Sequence, residues 1–338
     1  MDITDELIES PAPESRVRYR KGRYLEIPTD STWWEKTRLI HTARLADACN
    51  RSGQAIAVLH SAVFLHGGAL RRPPAQAHVR TTWHRKPLKT PGPAFLSLSA
   101  RERRERLSRR PVVNHRMELD EDRLTVIDGI VTTDLLQTME MAARFLPPDE
   151  ALIALDSLLA IAADRNEYWR DERQQLETRA QRVLSTVALN LEHHKGERGY
   201  RQARQLLEVA TPLSESPLES EVRRVALAAG YSAIEPQVEV NTRAGTKWVD
   251  LGIPGVARGL EANGEIKYEG EEGDSRRSRE AARREALADV GFRVRDLDAR
   301  TIMDTPRLLS ILDETFPEHR ELHGRSALWT PQERRRFP

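Results

Sequence analysis

The chain has 338 residues, 39% of them hydrophobic and 31% charged, with a formal net charge of +1. That length accommodates two or three separate cores, and the composition excludes a chain disordered throughout. The single cysteine, Cys49, excludes an internal disulfide framework and speaks against a Cys-based zinc site.

The near-neutral balance lacks the Lys/Arg excess of many nucleic-acid binders. Basic residues are nevertheless concentrated. Residues 101–110, RERRERLSRR, hold six arginines, and Arg276, Arg277, Arg279, Arg283 and Arg284 form a second group. Each group reads either as a phosphate contact or as a solvated helix face with Glu–Arg pairs. No stretch approaches the roughly 20 apolar residues of a membrane span. The acidic start, MDITDELIES, has no apolar segment of the secretory kind. The expected setting is cytoplasmic, with no membrane partner.

In chain order, residues 1–15 read as a loose arm. RVRYRKGRYLEI (16–27) alternates apolar and basic residues around Lys21-Gly22, the pattern of a strand–turn–strand ribbon. A helix is expected from Trp33 to Cys49 and a short buried strand over 55–59. Ser61 then reads as the cap of a short helix ended by Gly67 and Gly68. Residues 78–82 and 112–119 read as strands. Asp128-Gly129 is a turn signal, with Thr132 or Thr133 capping a helix to about Phe145. Pro147-Pro148 stops that helix, a second covers 149–163, and charged helix fills 165–208. The adjacent pair His193–His194 reads as solvated or capping.

From residue 214 the pattern sharpens. Ser216-Pro217-Leu218-Glu219 places Ser at an N-cap, Pro at the first helical position and Glu at the capping-box position, with Gly230 as the stop. Three strand-like runs follow at 236–241, 247–251 and 256–263. A helix over 276–290, a strand over 292–297 and a helix over 306–316 complete the order α-β-β-β-α-β-α. The end, WTPQERRRFP, is expected to be disordered. The segments are therefore an arm and ribbon (1–30), an α/β domain (31–150), a helical connector (151–211), an α/β domain (212–317) and a tail (318–338).

Pro254-Gly255 predicts a hairpin whose tight turn sets residue 259 opposite Asp250. Glu261 is then the diagonal neighbour on the same face, and Asn263 shares that face. Two such carboxylates suit Mg²⁺, which takes one or two carboxylates and keeps several waters. Buried without a cation the pair would cost several kcal/mol, so it is expected to be either metal-bound or solvated. A register slip would send Glu261 to the other face. The capping box by itself accounts for Glu219.

The pattern SPLES…WVDL…GLEANGEIKY…RRE…GFRVRDL resembles the PD-(D/E)XK nuclease superfamily, and more closely the very short patch repair endonuclease-like domains at the C-terminus of many actinobacterial proteins. KGRYLEI, VLHSAVFLHGGAL, HVRTT, NHRMEL and DGIVTTDLLQTMEMAARFL look like the AbiEi-type antitoxin domain of type IV toxin–antitoxin systems. Together the resemblances span about residues 16–317. They imply a multi-domain α/β chain with a mixed α/β antitoxin-like region, a helical middle and a restriction-endonuclease-like C-terminal domain. They also imply Mg²⁺, with Mn²⁺ as substitute, on Asp250 and Glu261, helped by the Ala262 carbonyl. Glu219 would stand near the metal, and Arg276, Arg279, Arg283 and Arg284 would face DNA phosphate.

The superfamily's lysine position holds Asn263, where the related proteins often have Asp. Lys267 stands beyond the turn as a substitute, or Glu265-Ile266-Lys267 is itself the E-x-K element. Asn263 hydrogen-bonds a water but brings no positive charge. The antitoxin-like ribbon follows only about 20 residues that carry Pro11 and Pro13 and no helix–turn–helix pattern. A wing without its recognition helix is thus implied. Three readings stand open: an antitoxin-like DNA-binding regulator with a possible cognate toxin partner, an active Mg²⁺-dependent DNA endonuclease in repair or defence, and a protein–protein module.

Overall fold

The computed structural model describes residues 16–20, 22–28, 31–52, 55–74, 76–81, 112–264 and 271–337. The expected arm (1–15) and the arginine-rich segment 101–110 lie outside the described residues. The protein is a mixed α/β chain of two compact units, Met1–Ala142 and Ala143–Pro338.

In the first unit, β1 (Arg16–Arg20) and β2 (Arg23–Glu26) pair antiparallel, as the alternating pattern predicts. Tyr19, Leu25 and Ile27 bury against Ala43 of α1 (Trp33–Ser52). Thr32 and Glu35 exchange hydrogen bonds at the start of α1, a capping box. The remaining strands are β3 (Ala55–Ala57), β4 (Ala77–Thr81), β5 (Val112–His115), β6 (Leu124–Ile127) and β7 (Ile130–Thr133), in the sheet order β5-β4-β3-β7-β6. Asp128 (φ 50°) and Gly129 (φ 73°) turn the β6–β7 hairpin in the left-handed conformation such two-residue turns demand.

Two expected caps are corrected. Ser61 lies inside α2 (His60–Leu65), and its hydroxyl accepts from the His78 amide instead. Thr132 and Thr133 belong to β7, where Thr132 donates to the Ala57 carbonyl. The cap of α3 (Leu135–Phe145) is Asp134, which accepts from Gln137 N at 2.6 Å. His78 and His115 meet at 3.0 Å across β4 and β5. Burial holds His78 down at about 2 and His41 at about 4, so both are neutral at ordinary pH.

In the second unit, α4 (Pro148–Ala162), α5 (Arg173–Leu191) and α6 (Tyr200–Leu207) precede α7 (Pro217–Ala229). The stretch expected as a connector is part of this core. Buried Asp156 of α4 takes both carboxylate bonds from Arg223 of α7 at 3.0 Å, and Ser214, Ser220 and the Thr211 amide fill its other sites. The sheet is β11-β10-β9-β8, built from β8 (Glu235–Thr242), β9 (Gly245–Gly252), β10 (Arg258–Asn263) and β11 (Arg293–Asp298). β8, β9 and β10 run antiparallel in turn; β11 returns parallel to β10 after α8 (Glu271–Asp289). Leu287 of α8 packs on Val240, Val249 and Phe292, while α7 lies against β8, β9 and β10. Two short helices, α9 (Ala299–Met303) and α10 (Thr305–Thr315), follow; α9 was not expected.

The expectation of a disordered tail is corrected. Leu328 and Trp329 are buried, and Glu333 binds the Arg224 guanidinium of α7 through both oxygens. Arg224 also pairs with Glu221, so a fully buried cation is neutralised partly by the tail. Gly324 approaches α7 so closely that a Cβ there would fall on the Ala228 carbonyl. We expect Leu328→Ala to cost about 2–5 kcal/mol, the range for a large buried side chain that leaves a cavity. Urea denaturation checks this; an unchanged midpoint would mean the tail does not contribute to the core.

Candidate active site

Strand pairing aligns the site residues. Pro236 and Val238 pair with Leu251 and Val249, which sets Gln237 across from Asp250. Gly259 and Leu260 pair with Gly252 and Leu251, so the next step sets Glu261 across from Asp250. Glu261 in turn pairs with Asp296 of β11. Gln237, Asp250, Glu261 and Asp296 thus form one row across the four strands. The expected register is therefore corrected by two residues: Glu261 is the direct neighbour of Asp250, not the diagonal one. Pro254-Gly255 does turn the chain, with Val256 N donating to the Ile253 carbonyl, but β10 begins only at Arg258, a longer connection than a tight turn. A two-residue shift keeps the face, so the pairing of the two carboxylates survives it.

Asp250 is half-buried, and its Oδ2 accepts from the Ala262 amide at 2.9 Å. Glu261 is 7% exposed. Both its oxygens are held by Arg283 of α8, at 3.0 Å from Nη1 and 2.9 Å from Nη2. Arg283 also donates to the Trp248 carbonyl and to both oxygens of Glu280. The sequence left two alternatives for the carboxylate pair, a metal or solvent; the fold holds a guanidinium against it.

Glu219, at the third residue of α7, is buried and serves two ends. Its amide donates to the Ser216 hydroxyl, as the capping box predicts. Its Oε2 accepts from the Glu215 amide at 2.9 Å and from Gln237 Nε2 at 3.2 Å. The same Nε2 stands 3.5 Å from Asp250 Oδ1. Gln237 escaped sequence reasoning, because a lone glutamine between Pro236 and Val238 carries no motif.

The remaining expected residues are dispersed. Asn263 is exposed and donates to Asp296 Oδ1 at 2.7 Å. Arg284 forks onto Asp296 at 2.8 and 2.7 Å and also reaches Glu280. Arg279 is exposed on α8. Lys267 and the Arg276 side chain lie outside the described residues. Among the described residues no group of three or more His, Cys, Asp or Glu is arranged to hold a metal ion. The pair of hard carboxylate oxygens on Asp250 and Glu261 fits Mg²⁺ or Mn²⁺ in donor chemistry, with waters completing the shell.

Electrostatics point the same way. Burial, then the Asp250 charge, pushes Glu219 up to about 7 and Glu261 up to about 7. Burial also raises Asp250, against the pull of the Ala262 amide and Arg283. Arg283 is held firmly cationic by Glu280 and Glu261 although burial opposes it, yet that does not bring Glu261 back to the ordinary range. One guanidinium does not satisfy this cluster.

No family model, curated protein or solved structure matches the chain. Among the described residues no helix is long and apolar enough to cross a membrane.

The raised carboxyls give a signed prediction. Between the ordinary glutamate value of 4.5 and about 7, the unfolded chain has released protons that folded Glu219 keeps. The stability it contributes is fully present below 4.5 and is lost as pH rises through 7. The depressed histidines of the first unit act in the opposite sense, so a difference isolates the effect. Glu219→Gln is expected to gain about 1–3 kcal/mol relative to wild type between pH 5 and pH 8. Paired thermal melts without added metal measure it, and a pH-independent difference would refute the raised carboxyl.

Proposed function

We propose that the second unit carries a divalent-cation-dependent nuclease site that cleaves phosphodiester bonds in DNA. The observation that carries this reading is the row of Asp250 and Glu261 on adjacent strands, with Glu219 brought beside them by α7. Buried like charges of this kind weaken a fold unless a cation or a proton is available, and such arrangements concentrate at catalytic sites. The order α7-β8-β9-β10-α8-β11 agrees with what the resemblance to PD-(D/E)XK nucleases implies, and the reading includes that restriction-endonuclease-like architecture.

Asp250 and Glu261 would hold the cation. When bound, Mg²⁺ lowers the pKa of a water and offsets charge on the phosphate. The protein's own part is positional. The Ala262 amide fixes the Asp250 carboxylate, and Arg283 neutralises Glu261 and can retain Glu280 when Glu261 is released. Asn263, which donates to Asp296, brings no positive charge to a metal-bound water. Lys267 is the candidate for the missing positive charge.

A second reading has its own support: a DNA-binding regulator of the antitoxin kind, with a cognate toxin as its candidate partner, whose nuclease-like fold does not cleave. Arg283 occupies both oxygens of Glu261, and Asn263 is spent on Asp296. Nicking of supercoiled DNA by the full-length protein, with Mg²⁺ or Mn²⁺, separates the two. The nuclease reading expects cleavage that needs metal and falls to background in Asp250→Ala and in Glu261→Ala, while duplex binding persists. Salt-sensitive DNA binding in all three proteins, with no metal-dependent cleavage in any, would favour the regulator. Absence of DNA binding altogether would reject both.

A further inference from the structure

Gln237 is an unusual residue for a strand interior. Its φ of 52° lies in the left-handed region, which a non-glycine side chain enters only when its surroundings force it. It is 1% exposed, and its side-chain atoms and carbonyl are engaged. Its carbonyl accepts from Arg173 Nη1 at 2.7 Å, and its Oε1 accepts from Arg170 Nη2 at 3.3 Å. With Oε1 so assigned, Nε2 must face the acids: Glu219 Oε2 at 3.2 Å and Asp250 Oδ1 at 3.5 Å. The arginines are themselves fixed. Arg170 reaches Glu215 at 2.9 Å and lies 4.7 Å over the Trp169 ring, and Arg173 binds Glu177 at 3.0 Å and lies 5.6 Å over the Trp248 ring.

The geometry points to Gln237 as a positioning residue for the carboxylate site, with its side-chain amide orientation set by Arg170 and its backbone carbonyl held by Arg173. This rests on the cation-dependent reading of Asp250 and Glu261. An amide N–H₂ is the neutral donor that can stand between two carboxylates without competing with a metal for charge. Turned by 180°, the same amide would present oxygen to both acids, so its orientation decides between attraction and repulsion. Arg170 specifies that orientation, because a guanidinium only donates. The segment just before α5 is therefore part of the site, although it lies outside the α7–β11 core that holds the acids. Loss of a group that orients a ligand in this way typically costs about 10–100-fold in metal affinity.

Calorimetric titration of the full-length protein with Mn²⁺ tests this, using wild type, Asp250→Ala, Gln237→Met, Arg170→Met and the Gln237→Met/Arg170→Met double variant. Binding is expected in wild type and not in Asp250→Ala. Gln237→Met should bind about 10-fold or more weakly, with Arg170→Met intermediate. The double variant should be no weaker than Gln237→Met alone, because Arg170 acts through the glutamine; a general loss of packing would add instead. Wild-type affinity in Gln237→Met, or additive losses, would overturn the positioning role while leaving the metal site intact. No Mn²⁺ binding by wild type would overturn the site and this role together. Should Gln237→Met not fold, Arg170→Met decides the matter: weakened Mn²⁺ binding supports the role, and wild-type affinity rejects it.

Discussion

Two carboxylates facing each other on adjacent strands dominate the second unit. At an effective dielectric of about 20, two like charges about 4 Å apart repel by about 4 kcal/mol, and burial adds its own penalty for each. Something positive must approach, or a proton must stay. Arg283 supplies the charge from α8, clamped between Glu261 and Glu280, and the Ala262 amide supplies a partial charge to Asp250. Glu219 and Glu261 are still pushed up to about 7, by burial first and then by the Asp250 charge.

Bringing the acids together depends on close approach of β9 and β10. Gly252 and Gly259 pair directly two steps from the row. A Cβ at Gly259 would meet Val249 Cγ1 at 2.6 Å and the Leu251 carbonyl at 3.0 Å, so only glycine lets the strands close there. The parallel return of β11 then places Asp296 beside Glu261, where Arg284 neutralises it and Asn263 donates a hydrogen bond to it. Charge alternates across this edge of the sheet, with Arg283 and Arg284 of α8 paired to Glu261 and Asp296.

The elements of this unit were legible because their signals are local: Ser216 and Gly230 bound α7, and alternation marks the strands. The face shared by Asp250 and Glu261 was legible too, since it depends only on parity. Their direct opposition was not, because Pro254-Gly255 marks a turn without fixing how many residues precede β10. Asp134 outcompetes Thr132 and Thr133 as a cap because those threonines were already committed to a strand. The tail reads as polar, yet its ordering depends on Leu328 and Glu333 meeting Arg224 of α7, a contact about a hundred residues away in sequence. Gln237 was invisible for the same reason. Its role resides in a backbone angle and in arginines at the start of α5 and in the turn before it, neither of which a strand pattern encodes.

Arg283 is the residue on which both functional readings turn. A guanidinium bound to both oxygens of a ligand carboxylate competes with any cation for them, which favours a silent fold. Its bond to Glu280 changes the balance. Glu280 lies on the same helix, is more exposed than Glu261, and already accepts from both Nε and Nη2. Arg283 can therefore stay paired when Glu261 turns to a metal, and no buried charge is left alone, which is the costly outcome for a broken ion pair. The exchange replaces a +1 partner by a +2 partner in a cluster that one guanidinium leaves under-compensated. A site designed only for stability would gain more by replacing the acids with apolar residues of similar volume. On the proposed reading, Glu219, Asp250 and Glu261, with a helix-borne arginine that has a second carboxylate to hold, make a site able to exchange that arginine for a divalent cation.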